Sequence, residues 1–448
     1  MLKSSIKLVM VIFVLFSISC NYKTPVWTKG NNTGIDIDGL SDVEKLNLAL
    51  SDILVHLPEN PSEWTDEQLR CLDVFHNKGI VGLGEATHGT SEFFKAKHRI
   101  FKYLVENHGF KVFVMEADFG ESLLINNAIW EGRTTDIKGL MTEHMHFWTW
   151  YTEEVQTLLE WMSNYNKGRP EEDRMIYMGN DCQINNKNSQ LVIDYLNQTN
   201  KALYDKSIIT LNSLKTTSYS NQSEAVYLSL ISSIEKLEVN FNDYKDLLIA
   251  ESSLHEFNLY ARIITVMKQV MLYHYNKTFK FLDYRDLYMA ENTIWIRNYF
   301  NHAKSVVWAH NMHVARNANY TNGNGGTMGN EIGLLANDYA NLGFSFTNGW
   351  FTSSSYNAGL MSFELKSPPY NSLNDVFSRT HKTFFVEMDR LNANDQWNKY
   401  FNRGSNFVSI GSMFSSSWIP SYYTSPFSVS YYNYMIHIDK SSPSKILQ

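Results

Sequence analysis

The sequence predicts an α/β fold, a mainly parallel sheet flanked by helices and interrupted by a large helical insertion. Three observations predict it. Between Ile80 and Met115 the apolar pattern reads strand, loop, helix, strand, a unit that joins parallel strands by a right-handed crossover. Two further β-rich runs, Arg174 to Asp181 and Ala303 to Ala309, also deliver polar residues at their carboxyl ends. From about Asn188 to Asn301 the strand signal vanishes, and apolar residues recur at spacings of three and four.

At the amino end, Lys3 and Lys7 precede the apolar run Leu8 to Phe16, which is too short to span a membrane and reads as a targeting segment. Ser17-Ile-Ser-Cys20 resembles a lipobox, in which the cysteine becomes the lipidated first residue. Residues 1–19 are therefore expected to be a signal peptide and residues 20–40 an irregular tether. The expected location is a bacterial envelope, with membrane attachment through lipid only.

The first part of the α/β domain is placed at residues 41–187. Ser41-Asp-Val-Glu44 and Thr65-Asp-Glu-Gln68 have the spacing of capping boxes and open helices ahead of the first strand. Ile80 to Leu83 is a short apolar run of the buried-strand type. It delivers Glu85 and His88 onto a turn flanked by Gly84 and Gly89. Ser91 onward is a helix with Phe94, Ile100, Phe101 and Leu104 on one side, closed by Gly109 as a C-terminal cap. Phe110 to Met115 is the next strand and ends at Glu116; Asp181 and Gln183 close the strand that starts at Arg174.

Residues 188–302 form the helical insertion, with stripes Val226, Leu230, Ile234, Leu237, Phe241 and Phe257, Ala261, Ile264, Met267, Met271. The second part of the domain, 303–440, starts with the run into His310-Asn311-Met-His313. It continues with strands at Phe344 to Trp350, Met361 to Leu365, Phe384 to Met388 and Tyr434 to Ile438. Residues 441–448 are a tail. Asn322-Gly-Asn-Gly-Gly-Thr327 has three glycines within four residues, which leaves its backbone loosely held and predicts a mobile segment at the cleft mouth.

Composition removes several functions. The net charge of −7 comes from acids and bases mixed along the chain, with no basic block to hold nucleic acid. Cys71 and Cys182 have neither disulfide-framework nor zinc-ribbon spacing and read as buried thiols. Trp148, Trp150, Tyr151 and Trp161 read as core, with the lining of a large apolar or saccharide-like ligand as the alternative. No Gly-x-Ser-x-Gly elbow, phosphate loop or complete dinucleotide fingerprint is present.

What remains is a set of acids and imidazoles at strand ends, the edge of an α/β sheet where ligands bind. His88 is suited to act as general base, taking a proton from water that attacks a carbonyl. Glu85 and Glu116 could orient it, or one could activate water itself. His310 and His313 could stabilise an oxyanion or protonate a leaving group. Lys97, Arg99, Asp181 and Arg285 are candidates for substrate binding. The same carboxylates and histidines also admit a divalent metal, although the HExxH pattern is absent; no cofactor is otherwise expected.

Three motifs carry a family resemblance: Gly84-Glu-Ala-Thr-His-Gly-Thr90, Val114-Met-Glu116 and Trp308-Ala-His-Asn-Met-His313. With Arg285-Asp286, Met289-Ala-Glu-Asn292, Met328-Gly329 and Gly179-Asn-Asp181, the chain resembles the erythromycin esterase family from about residue 40 to 440. Lys95 and Lys97 stand where that family often has arginines. The resemblance implies a hydrolase of an ester or lactone, with macrolide inactivation as one activity. A metal-dependent hydrolase of an ester or amide and a non-catalytic envelope binding protein are the alternatives.

Overall fold

The computed structural model describes residues 40–448 apart from 133–134, 217–218, 220–221, 319–324, 357 and 424–425; the expected signal peptide and tether lie outside the described residues. Among those residues a nine-stranded sheet runs through the unit Ser41–Gln448. Its strands are β1 (Val55–Leu57), β2 (Ile80–Leu83), β3 (Phe110–Asp118), β4 (Ile176–Asp181), β5 (Lys304–Trp308), β6 (Tyr339–Ser355), β7 (Gly359–Leu365), β8 (Thr383–Glu387) and β9 (Tyr434–Ser441).

Their order is β1-β8-β9-β6-β2-β5-β3-β4, with β7 folded back on β6. From β9 to β4 every neighbouring pair is parallel; β1, β7 and β8 pair antiparallel. The mainly parallel sheet is as expected. The antiparallel margin is an addition, and β6 is longer at both ends than the apolar run Phe344 to Trp350 indicates.

Register decides where the polar residues emerge. Leu83 is level with Trp308, Trp308 with Met115, and Met115 with Gly179. The residues that follow these four therefore gather at one edge of the sheet, Glu116 and Asp181 within the last residues of β3 and β4 and the others just past β2 and β5.

Both faces are covered, as a parallel sheet requires. Phe113 and Met115 point to one side, where Phe94, Phe101 and Leu104 of the helix Ser91–His108 and Leu158 and Met162 of the helix Glu153–Asn166 pack. Val112 and Val114 point to the other, towards a core that includes Met267, Met271, Met289 and Ile296 from helices between β4 and β5. The predicted stripes supply this core through Ile234, Leu237, Ile264 and Met267, while Val226, near the start of its helix, is exposed.

Local signals act as their chemistry dictates. Both capping boxes form, at Ser41 and at Thr65. Gly109 ends its helix at φ 70°, a left-handed conformation that costs a residue without Cβ little. The described residues contain no helix long and apolar enough to cross a membrane.

Candidate active site

The turn after β2 places its acid and imidazole in direct contact. His88 Nδ1 lies 2.7 Å from Glu85 Oε1. The turn is held by its neighbours: Ile410 donates its N–H to the Ala86 carbonyl and Thr352 donates to the Gly89 carbonyl. A Cβ on Gly89 would fall 1.8 Å from the Thr352 carbonyl oxygen, so only glycine fits there.

The Glu85 carboxylate is wholly buried and fully used. Its second oxygen accepts from Lys97 Nζ at 2.5 Å and from Trp308 Nε1 at 2.8 Å. Lys97 Nζ also sits 4.4 Å from the centre of the Trp308 ring, a cation–π contact. Burial lowers the Lys97 ammonium to about 8, against the pull of Glu85 and Glu116 towards the charged form. With Nδ1 on Glu85, His88 Nε2 has no hydrogen-bond partner among the described residues, and the side chain keeps an 11% exposed surface. The ring is bordered edge-on by Trp150 and lies 5.1 Å from the His310 ring, centroid to centroid.

A second, charged network lies at the ends of β3, β4 and β5. Glu116 Oε1 is shared by Arg285 Nη2 at 2.8 Å and His313 Nε2 at 3.2 Å, while Oε2 accepts the His310 backbone N–H at 2.9 Å. Arg285 also makes a two-pronged pair with Asp181, Nε to Oδ1 at 2.8 Å and Nη2 to Oδ2 at 2.6 Å. Such a fork matches a carboxylate in a way a lysine cannot. His313 Nδ1 lies 2.7 Å from Asp286 Oδ1, and the other Asp286 oxygen accepts the Met328 N–H.

These contacts set the charges. Burial disfavours a carboxylate at Glu116, yet the charges of His313 and Arg285 outweigh it and hold the group well below the usual carboxylate range. Burial likewise disfavours a charged His313, but Asp286 and Glu116 on its two sides raise it to about 10. The two carboxylates thus favour the charged imidazolium, with Nδ1 facing Asp286 and Nε2 facing Glu116, although Arg285 Nη1 also lies 3.2 Å from Nε2. His310 is the opposite case. Burial, reinforced by His88 and His313, pushes it well below the ordinary imidazole range. Its Nε2 donates to the Ile410 carbonyl at 3.2 Å and its Nδ1 accepts the Met312 N–H at 3.3 Å, which fixes one neutral tautomer.

The structure thus brings Glu85, His88, Glu116, His310 and His313 to one edge of the sheet, joined by Asp181 and Arg285. Lys97 and Arg99 are placed differently from the expectation that they meet substrate. Lys97 is 0% exposed behind Glu85. Arg99 turns to the Trp64 carbonyl and to Asp66, because its position on the helix faces the chain before β2. Neither presents its charge to the cleft.

Four contributors had no catalytic reading in the sequence. Asp286 stood in the Arg285-Asp286 pair, so the signal was present; Trp308 stood inside a site motif but read as strand. Trp150, read as core, is buried, but its Nε1 donates to the Glu116 carbonyl oxygen at 2.7 Å and its ring borders His88. Ile410 contributes through its backbone alone, which no side-chain pattern announces.

Among the described residues no group of three or more His, Cys, Asp or Glu side chains is arranged to hold a metal ion. Cys182 is buried and Cys71 half-buried, both free. Of the expected mobile segment, residues 322–324 lie outside the described residues; Gly326 donates its N–H to Glu331.

Known proteins resemble this chain in sequence and in fold. The sequence model of the erythromycin esterase family matches residues 105–441. The chain is 25% identical over 366 residues to an erythromycin esterase type II of Escherichia coli, covering 72% of this chain and 84% of that protein. A solved protein of Bacillus cereus superposes with a TM-score of 0.78 at 23% identity, over 91% of this chain and 100% of that one. A mutant of the erythromycin esterase EreC in its open conformation superposes with a TM-score of 0.67 at 14% identity, over 88% of this chain and 99% of that one. At such identities the two structures speak for the fold alone.

Proposed function

This chain belongs to the erythromycin esterase family and is a hydrolase of a small molecule; from that premise we propose that it cleaves an ester or lactone with water activated by His88. The observation that carries the reading is the pairing of His88 Nδ1 with Glu85 while Nε2 has no protein partner among the described residues. A carboxylate on Nδ1 keeps the proton there and leaves the Nε2 lone pair to accept one from water. Lys97 and Trp308 hold Glu85 in place, so the dyad needs little reorganisation when the reaction begins.

The charged network takes the complementary role. Attack of water on the carbonyl carbon forms the new C–O bond and moves the π electrons onto the carbonyl oxygen. His313 and Arg285 supply positive charge at the same edge of the sheet, where that negative charge develops. His88, once protonated, returns its proton to the leaving alkoxide as the ester C–O bond breaks. His310, with both ring nitrogens engaged by backbone, positions the Ile410 segment and the Met312 turn instead of moving protons.

Macrolide lactones are one substrate class within this reading, on the strength of the name carried by the Escherichia coli relative. The test is a panel of macrolides, simple lactones and acyl esters given to the purified protein with and without a chelator. Hydrolysis of at least one member, unchanged by the chelator, supports the reading. Activity abolished by chelator and restored by one divalent ion replaces it with metal-assisted hydrolysis.

Residues 1–19 remain the proposed signal peptide and Cys20 the proposed lipid-bearing residue, which globomycin-sensitive processing in a bacterial host tests.

A further inference from the structure

Strand β6 does not stop where its neighbour does. Leu342 is level with Leu83, the last residue of β2, yet β6 continues to Ser355 and returns as β7. The hairpin therefore stands beyond the sheet edge that carries the site. Thr352 is tied to the His88 turn by its hydrogen bond to Gly89. At a rise of about 3.3 Å per residue, Tyr356 lies roughly 13 Å further along the chain from that anchor.

A second segment climbs beside it. Ile410 bonds to both Ala86 and His310; the chain then pairs with the hairpin, Ser354 N–H to the Ser412 carbonyl and Phe414 N–H to the Ser354 carbonyl. Where the two segments meet, Trp418 packs edge-on against Tyr356, with ring centroids 4.8 Å apart. These rings are not core: Tyr356 is 56% and Trp418 48% exposed, flanked by Met361 at 44% and Met413 at 39%.

The chemistry of the two segments is unusual in one respect. From Tyr339 to Phe363, and again from Gly404 to Ile438, no Asp, Glu, Lys or Arg occurs, although the chain as a whole has 39 basic and 46 acidic residues. Serine, threonine, asparagine and tyrosine take their place. An exposed pair of aromatic rings set among hydroxyls and amides offers flat apolar faces and neutral hydrogen-bonding groups, with nothing to attract an ionic ligand.

We propose that the Tyr356–Trp418 ledge is a subsite for a neutral sugar ring carried by the ester substrate. A pyranose has the matching surface, an apolar C–H face for the rings and a rim of hydroxyls for the serines. Backbone hydrogen bonds through Thr352 and Ile410 tie the ledge to the turn that carries His88, so a sugar held there directs an ester linked to it towards that turn. The inference rests on the hydrolytic reading of that cleft.

The test separates the two. Tryptophan emission of the unaltered protein is titrated with maltotriose and cellotriose, and with trigalacturonic acid as the anionic counterpart. Turnover is measured in parallel on 8-acetoxyoctyl glucopyranoside, whose octyl chain spans the interval between the ledge and the His88 turn, and on ethyl acetate. Both neutral trisaccharides are expected to change the emission and the acid is not. In Tyr356→Ala, which keeps the Trp418 reporter, the trisaccharide response disappears, and in Trp418→Ala KM for the glucoside ester rises roughly tenfold, as for truncation of an anchoring aromatic ring. In the same variant kcat and the turnover of ethyl acetate are unchanged. Tyr356→Ala is the second variant, and an unchanged melting temperature in both confirms intact folding of these exposed sites.

No response of the unaltered protein to either neutral trisaccharide overturns the proposal, as does an equal rise in KM for both esters. Should no ester be hydrolysed while saccharide binding and its loss in Tyr356→Ala persist, the ledge stands and the hydrolytic reading falls. Hydrolysis of both esters without saccharide binding removes the ledge alone.

Discussion

Lys97 Nζ lies 2.5 Å from Glu85 Oε2, and neither side chain has any exposed surface. A buried ion pair of this kind is costly to break because the surviving charge has no water to turn to. Lys97→Met is expected to lower unfolding free energy by about 3–5 kcal/mol, and the double change Lys97→Met with Glu85→Gln to recover much of it. Urea denaturation of the three proteins checks both statements. Equal loss in the single and double variants would show that the pair is not coupled.

Lys97 also sets an alkaline limit. Its ammonium is lowered from 10.5 to about 8, so the folded protein gives up this proton before the unfolded chain does. The penalty for burying the charge is present below pH 8 and is relieved as pH rises from there to 10.5. Activity moves the other way in that window, because Glu85 loses its cation. Turnover is expected to decline above about pH 8. In Lys97→Arg the decline moves upward, because guanidinium keeps its charge. A pH–rate profile of both proteins is the measurement.

Arg285 holds two carboxylates at once, Glu116 and Asp181. Arg285→Ala is expected to destabilise by about 3–5 kcal/mol, and Arg285→Lys to restore only part of this, since an ammonium cannot reproduce the fork. Glu116 adds an acid limb to the same network. Its depressed carboxyl contributes stability that is present above the ordinary carboxylate range and is lost as pH falls through its folded value. The acid transition in Arg285→Ala is therefore expected at higher pH than in the unaltered protein, read by circular dichroism.

His313 gives the opposite sign. Raised to about 10, it stabilises the fold fully below the ordinary imidazole value near 6.5, and this contribution is lost as pH rises through 10. His313→Gln keeps hydrogen-bonding capacity without the charge. It is expected to cut turnover by about two to three powers of ten if the charge serves the developing oxyanion. A drop smaller than fivefold removes His313 from that role.

How far the sequence carried these residues depends on the kind of signal each left. Ile80 to Leu83, Gly109 and Phe110 to Met115 are punctuated by a glycine-flanked turn and a left-handed cap, so the strand–helix–strand unit and the strand-end position of Glu85, His88 and Glu116 could be read directly. β1 is three residues long and has no alternation to detect. The outer half of β6 was lost because Thr352 to Ser355 are hydroxyl residues that pair with β7 beyond the core. Sheet order was not legible at all, since it follows from packing between distant segments. In the site, the charges of His310 and His313 diverge although both stand in one motif. What separates them is Asp286, from another helix, and the Ile410 carbonyl, from another loop.

The central claim is that His88 accepts the proton of the attacking water. His88→Ala tests it most directly: kcat/KM is compared with that of the unaltered protein on a hydrolysed member of the ester and lactone panel, with melting temperature measured on both. The account predicts a fall of about two to four powers of ten with little change in melting temperature. Hydrolysis by His88→Ala at the rate of the unaltered protein would contradict it.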